Sequence, residues 1–402
     1  MRFQAALIAT LLLAGCVRVV PEGRGPPASA PPPVPAPVSS PAPAPAPIPP
    51  VVSAGPSVAT LRLSADDARG ALASFIESCP RLVSRTDTSR LTISSDWRSV
   101  CDTARAWPAA DAVRFFETQF DTARVGDGKT FVTGYFEPEI LGSRTRQPGY
   151  EVPVYRMPPD LVRAWPADTP PEQRSGNPPL GRTDENGNHV PYYDRTEIEN
   201  GALAGKGLEI AWAADPVEFF FLQIQGSGLL RLPDGSLMRI GYAGQNGRGY
   251  VGIGSLMRER GLIGEGPGQY PGSMQGLMRY IRENGEAGVA LMRENPSWVF
   301  FREVVGDGPF GALNVPVRAN SSVATDPNYI PLGAPVWLDV DRAEADGLWI
   351  AQDTGGAIKG VNRFDTFWGN GPEARTIAGG MSARGDALLL LPKGVLARLL
   401  AR

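Results

Sequence analysis

Beyond residue 60 the chain alternates short apolar runs with turns rich in glycine and proline. Runs at Leu208–Trp212, Val217–Ile224, Leu229–Leu232, Leu237–Tyr242, Trp298–Glu303, Pro335–Val340, Gly347–Gln352 and Ala387–Leu391 have strand-like length and composition. Pro233-Asp-Gly235 between two of them is a hairpin turn signal. A short strand from Lys129 to Thr133 runs into Gly134 and the aromatic pair Tyr135-Phe136. Helical spacing appears in fewer places. Residues 64–77 read as a helix, with Ser64 as N-cap, Asp66 and Asp67 in the first turn and Leu72, Phe75 and Ile76 facing inward. Residues 108–123 read as a second helix, with Ala112, Phe115, Phe116 and Phe120 as core positions. Segments 254–260, 274–284 and 285–295 read as three more, the last stopped by Pro296. Residues 142–207 hold few periodic runs and read as a loop-heavy insertion. The pattern predicts a mainly β protein with some α.

The N-terminus follows a different rule. Arg2, the apolar run Ala5–Leu13 and Leu13-Ala-Gly-Cys16 read as a signal peptide over 1–15, since the run is shorter than the roughly 20 residues needed to cross a bilayer. A cysteine after small residues resembles the lipobox of bacterial lipoproteins. That resemblance implies cleavage before Cys16 and its acylation; the other reading is an ordinary signal with a nearby buried cysteine. Val17, where an aspartate would signal inner-membrane retention, favours the outer membrane, periplasmic face. Residues 21–57 hold 15 of the 40 prolines, and no charge lies between Arg24 and Arg62. Such a stretch cannot bury a core, so 16–58 reads as a polyproline-like tether, extending ~3.1 Å per residue and reaching up to ~100 Å.

Composition narrows the rest. The roughly 340 residues after the tether fit two domains, or one with a large insertion. Lys+Arg 39 against Asp+Glu 42 leaves no basic stripe for nucleic acid. No long apolar run follows the signal, so the body is expected to be soluble. Cys79 and Cys101, flanking a strand-like Leu91–Ser95, are either a disulfide or two buried thiols. No CxxC pattern suggests zinc, and neither a metal nor a cofactor is expected.

Candidate chemistry gathers late in the chain. His189 is the one histidine, lies in the loop-rich insertion and reads as exposed and without a role. Acid–base chemistry therefore falls to carboxylates. Asp353 ends the strand Leu348–Asp353 and opens Asp353-Thr-Gly-Gly, Lys359 follows, and Asp365 stands among Phe364, Phe367 and Trp368. A single Asp-Thr-Gly triplet does not make an aspartic protease, which needs two. The aromatics around Asp365 either dry its surroundings, which raises a carboxyl pKa, or are plain core. Lys359 beside Asp365 would lower that pKa, so it is expected to point toward Asp353 or a glycan. Gln223, Gln225 and Ser227 suit sugar hydroxyls, or are polar residues of an edge strand.

Seven short motifs occur in order: Thr133-Gly-Tyr-Phe-Glu-Pro, Gln223-Ile-Gln-Gly-Ser-Gly, Tyr242-Ala-Gly-Gln-Asn-Gly, Asn295-Pro-Ser-Trp-Val-Phe-Phe, Val323-Ala-Thr-Asp326-Pro, Asp353-Thr-Gly-Gly-Ala-Ile-Lys-Gly and Asp365-Thr-Phe-Trp-Gly. From about residue 60 to 400 the chain resembles the membrane-bound lytic murein transglycosylase A family, with its C-terminal three-aspartate domain. The resemblance implies a double-psi β-barrel (59–139 and 244–402), an inserted smaller β-barrel-like domain (140–243) and a glycan groove between them. It implies Asp365 as the catalytic acid, Asp353 as a supporting carboxylate and Asp326 as a site-shaping one. Thr133, Gly134, Tyr135, Phe136, Gln223, Gln225, Gly226, Ser227 and Lys359 would contact substrate. The implied activity is a peptidoglycan lytic exotransglycosylase of the lyase class. The expected partners are glycan strands, a membrane reached through the lipid anchor and other cell-wall enzymes, with the chain itself a monomer. A lytic transglycosylase attacks with the substrate's own C6 hydroxyl, so one carboxyl serves as acid and then base. A hydrolase on the same barrel would need a second carboxylate to activate water. A non-catalytic wall-binding lipoprotein would need neither.

Overall fold

The computed structural model describes residues 51–401. The signal peptide, Cys16 and the tether up to residue 50 lie outside the described residues. The expected tether edge at 58 moves inward, because β1 (Val52–Ala54) already pairs antiparallel with β2 (Phe120–Val125). Between them run α1 (Ala65–Leu82), α2 (Arg98–Ala106) and α3 (Ala112–Gln119). The Ser64 hydroxyl caps α1 by accepting from Asp67 N at 3.3 Å. The helix predicted over 108–123 stops at Gln119, and Phe120 opens β2 instead. Phe120 keeps its core role by packing with Phe75, Phe115 and Phe116. Leu91–Ser95 forms no strand. Cys79 of α1 and Cys101 of α2 are joined by a disulfide.

The chain continues through β3 (Lys129–Glu137) into a second region: β4 (Glu139–Ser143), β5 (Val152–Tyr155), β6 (Val162–Arg163), β7 (Leu180–Thr183), β8 (His189–Pro191), α4 (Arg195–Glu199), β9 (Glu209–Ala213), α5 (Pro216–Gln225), β10 (Ser227–Arg231) and β11 (Leu237–Gln245). Helices α6 (Ile253–Glu259), α7 (Met274–Glu283) and α8 (Gly285–Arg293) follow, then β12 (Val299–Glu303). Strands β12-β11-β10-β4-β9-β5 make one sheet, and β6-β7-β8 a small second one. The insert therefore does not close at 243. After three helices the chain returns, and β12 pairs with β11 along Val299–Glu303. The 142–207 stretch is more ordered than its composition suggests. His189 lies in β8, half-buried, with Nε2 3.2 Å from the Pro179 carbonyl oxygen.

The last third holds β13 (Ser322–Thr325), β14 (Pro335–Val340), β15 (Gly347–Asp353), β16 (Arg363–Asn370), α9 (Gly371–Gly380), β17 (Ser382–Pro392) and α10 (Val395–Leu400). Strands β17-β14-β15-β13-β16-β3 follow one another, and β3 pairs back onto β17. Six strands thus close into a barrel, which leaves them no free edge. Two of the junctions are parallel, β13 with β15 and β16 with β3. The barrel shares its core with α1, α2 and α3, while the insert sheet has its own around Tyr192, Phe219, Phe300 and Phe301.

Candidate active site

Asp365 lies in β16, opposite Thr133 of β3 across the parallel junction. The two residues face one way, and the Thr133 hydroxyl donates to Asp365 Oδ1. Arg363 is two residues earlier on the same strand and so presents to the same face. Its Nη2 donates to Thr133 Oγ1 at 2.8 Å, and its guanidinium stacks on Phe131 at 4.8 Å. This fixes the direction of every bond. A guanidinium only donates, so it takes a lone pair of Thr133, whose single proton then points at Asp365. Oδ1 is held as an acceptor. A proton on this carboxyl sits on Oδ2, which has no protein hydrogen bond among the described residues.

Asp353 is held differently. Its Oδ1 accepts from Ala312 N and Thr354 N, both at 2.8 Å, and its Oδ2 accepts from Tyr135 Oη at 3.1 Å. Burial pushes both carboxyls up to about 6. Against that, Asp353 has three donors favouring its anion, whereas Asp365 has Thr133 and the nearby Arg363 charge, with Asp353 itself raising it further. The donor count favours the anion more at Asp353, so the proton is held more readily by Asp365. Tyr135 is held well above the usual phenol range by burial and by both carboxylates, so it stays a neutral donor. Its ring packs on Phe367 at 4.9 Å.

The remaining predicted residues divide. Asp326 is buried and accepts from Asn328 N, Asn328 Nδ2 and Gly360 N at 2.9–3.1 Å, so it braces the loop after Asp353 and turns away from solvent. Lys359 is exposed, with no ion pair to Asp353 among the described residues. Phe136 N donates to Gln225 Oε1 at 3.0 Å, which joins β3 to the end of α5. Beside this link lies a cavity of about 190 Å³, lined by Phe136, Gln225, Tyr250, Ile253, Leu277 and Ala378. Gly134 allows its near wall: a Cβ there would stand 2.8 Å from Trp368 Nε1 and 2.9 Å from Ala378 Cα. Gly226 ends α5 in the left-handed region at φ 81°, and Ser227 opens β10.

Two expectations need correction. Val217–Ile224 is not a strand but most of helix α5. Asp215 accepts from Val217 N and Glu218 N as its cap, and Pro216 occupies the first turn. The helix is apolar all round because the insert core takes Phe219 and Leu222, while α6, α7 and α8 take Val217, Phe220 and Phe221. Consequently Gln223 does not face a groove. It is buried, and its Oε1 accepts from Arg195 Nη1 at 2.7 Å. Arg195, also buried, donates further to Asn295 O at 2.9 Å and Ser297 O at 2.6 Å, and lies over Phe220 and Trp298. Asn246 closes the same node, with Nδ2 donating to Tyr193 O and Pro296 O at 2.9 Å and Oδ1 accepting from Trp298 N at 3.0 Å. Three motifs of the insert thus meet as scaffold. Sequence reasoning missed Arg363, Tyr250 and Arg195. For Arg363 a signal existed, the period-two spacing to Asp365; the other two had none.

A closed barrel carrying a grafted β domain, with two raised carboxyls on β15 and β16 on either side of β13, defines a two-part β protein whose reactive groups are carboxyls. Family models match in both parts: the "MltA specific insert domain" over residues 131–302 and the "3D domain" over 321–391. The chain is similar to a membrane-bound lytic murein transglycosylase of Agrobacterium tumefaciens, with 30% identity and a TM-score of 0.73 over 87% of this chain and 99% of that one. It is similar to Escherichia coli MltA, solved with bound chitohexaose, with 29% identity and a TM-score of 0.56 over 80% and 89%. Membrane-bound lytic murein transglycosylase A of Vibrio cholerae is 32% identical over 263 residues, 63% of this chain; the match spans 62% of that relative's length. The chain belongs to the membrane-bound lytic murein transglycosylase A family, with a 3D domain.

Proposed function

We propose that this chain is a lytic transglycosylase that cleaves the β-1,4 bond between MurNAc and GlcNAc in peptidoglycan and closes a 1,6-anhydro ring on the muramoyl product. The observation that carries this reading is the asymmetry of the carboxyl pair. Asp365 has one open oxygen and a pKa raised to about 6. Asp353 already accepts from three donors, which favours its anion and suits it to stabilising charge rather than to delivering a proton. On this reading a single group acts twice. Asp365 Oδ2 gives its proton to the glycosidic oxygen as the C1–O bond breaks. The resulting carboxylate takes the proton of the C6 hydroxyl as that oxygen bonds to C1. Asp353 keeps negative charge near the oxocarbenium-like centre, and Tyr135 and Thr133 hold both carboxyls in place. The chitohexaose bound by the Escherichia coli relative supports a glycan in the cleft.

On this reading the barrel has the double-psi crossover, and Cys16 carries lipid that anchors the protein to the outer membrane on its periplasmic face. No helix among the described residues is long and apolar enough to cross a membrane. Mass spectrometry of products from purified sacculi tests the chemistry. Anhydro sugars, one water lighter than reducing sugars, are expected, together with a loss of turnover of about 10³-fold in Asp365→Asn. Reducing ends in the products, or near-normal turnover by that variant, would sink the assignment.

A further inference from the structure

Strand β15 carries an irregularity directly before Asp353. Its parallel pairing with β13 sets Ser322 against Ile350 and Val323 against Ala351, but Ala324 stands opposite Asp353. Gln352 is therefore an extra residue, a β-bulge that β13 does not match. On the other side of β13, Ala324 stands opposite Asp365 of β16. The bulge thus brings the two carboxyl residues level with each other across one alanine. An unbulged strand would put Gln352 in that place, because a slip of one residue turns each side chain to the opposite face.

A ladder does not hold a residue it leaves unmatched. Here a buried chain of side chains does. Gln352 is fully buried, as are Ser74, Ser78 and Ser322. Ser322 Oγ accepts from Arg318 N at 2.6 Å, so its proton points at Gln352 Oε1. Gln352 Nε2 donates to Ser74 O at 3.0 Å and to Ser78 Oγ at 2.9 Å, both on α1. The amide cannot turn over, since its oxygen would then face the Ser74 carbonyl, which only accepts. The Gln352 carbonyl accepts from Leu313 N at 3.0 Å, beside Ala312, whose N–H binds Asp353. Resting on the reading of Asp353 as the carboxylate that supports the acid, we propose that Gln352 is a positioning residue: its amide pins the bulge to α1 and β13 and so holds Asp353 level with Asp365.

A double-mutant cycle separates positioning from stability. Gln352→Leu keeps much of the side-chain volume and removes the amide. With soluble glycan strands as substrate, kcat is expected to fall at least about tenfold while KM stays within about twofold, since Asp353 acts on charge that develops during the reaction. In an Asp353→Asn background the same substitution should cost less than about twofold, because the group it positions is gone. Ser322→Ala removes the donor to Oε1 and leaves Gln352 in place. It should lower kcat at least about fourfold, again by less than about twofold in the Asn background, and it carries the test if Gln352→Leu does not fold. Costs that multiply, so that the Asn background loses the same factor as the wild type, overturn the proposal, as does a kcat unchanged in both variants. Reducing ends among the products would instead strike the transglycosylase reading, while the ratio of the kcat values would still decide the role of Gln352.

Discussion

The barrel and the insert use polar residues in opposite ways. In the insert, Arg195, Gln223, Asn246 and Asn295 turn inward and satisfy one another and the backbone. In the barrel, Asp365 keeps an oxygen open beside a second carboxylate that burial also raises to about 6. The first arrangement adds rigidity; the second keeps a destabilising charge where it can react. Both arise from short motifs with polar residues among glycines and aromatics, so motif content alone does not tell scaffold from chemistry. What tells them apart is whether each donor and acceptor is already engaged.

Four measurements press on that contrast. The largest effect is expected from Arg195→Met, which strips three buried acceptors of their donor and should lower unfolding free energy by about 3 kcal/mol or more in denaturant titration. A loss below about 1 kcal/mol would mean that the node is not structural. Asp365→Asn is expected to do the reverse and stabilise the fold. A carboxyl raised in the folded state contributes stability that is present below its unfolded pKa and lost as pH rises through about 6. The gain should therefore be on the order of 2 kcal/mol above pH 7, after allowing for screening at a half-buried site, and vanish below about pH 4. A gain that persists at low pH would point to packing instead of charge. Third, Asp353→Asn removes a like charge that raises Asp365. The limb of kcat/KM that falls with rising pH should move to lower pH, and an unmoved limb would uncouple the two carboxyls. The smallest effect is expected from Lys359→Met. This exposed side chain should change kcat/KM by less than about twofold, as surface substitutions usually do. A tenfold loss would bring Lys359 into the substrate path.

Much of the fold could be read from period and turn chemistry, and the exceptions have identifiable causes. Helix α5 was read as a strand because it is covered on two sides, by the insert core and by three helices, which erases the amphipathic period. Its boundary signals were nevertheless present in Asp215-Pro216 and Gly226. Phe120 suited a helix pattern because one aromatic cluster draws on both α3 and β2. Strand β12 escaped the predicted insert edge at 243, since no local pattern announces that a chain will return to a sheet after three helices. At the site, Asp353 and Asp365 were legible as carboxylates among aromatics. Their asymmetry was not, because it depends on Thr133 and Tyr135, placed by the pairing of β3 with β16, and on Ala312 N, from a loop that lies against the end of β15. Gln223 was misplaced for the same reason: position in a motif says nothing of which way a side chain turns.

Strand β1 has a mechanical consequence. It is three residues long, lies at the outer edge of its sheet, and holds on through β2 to β17. Tension applied at Val51 therefore loads those few hydrogen bonds before it reaches any bond of the closed ring. Such an edge would act as a fuse, releasing a few residues of chain while the ring stays paired. The ring that aligns Thr133 with Asp365 would not be strained by the pull.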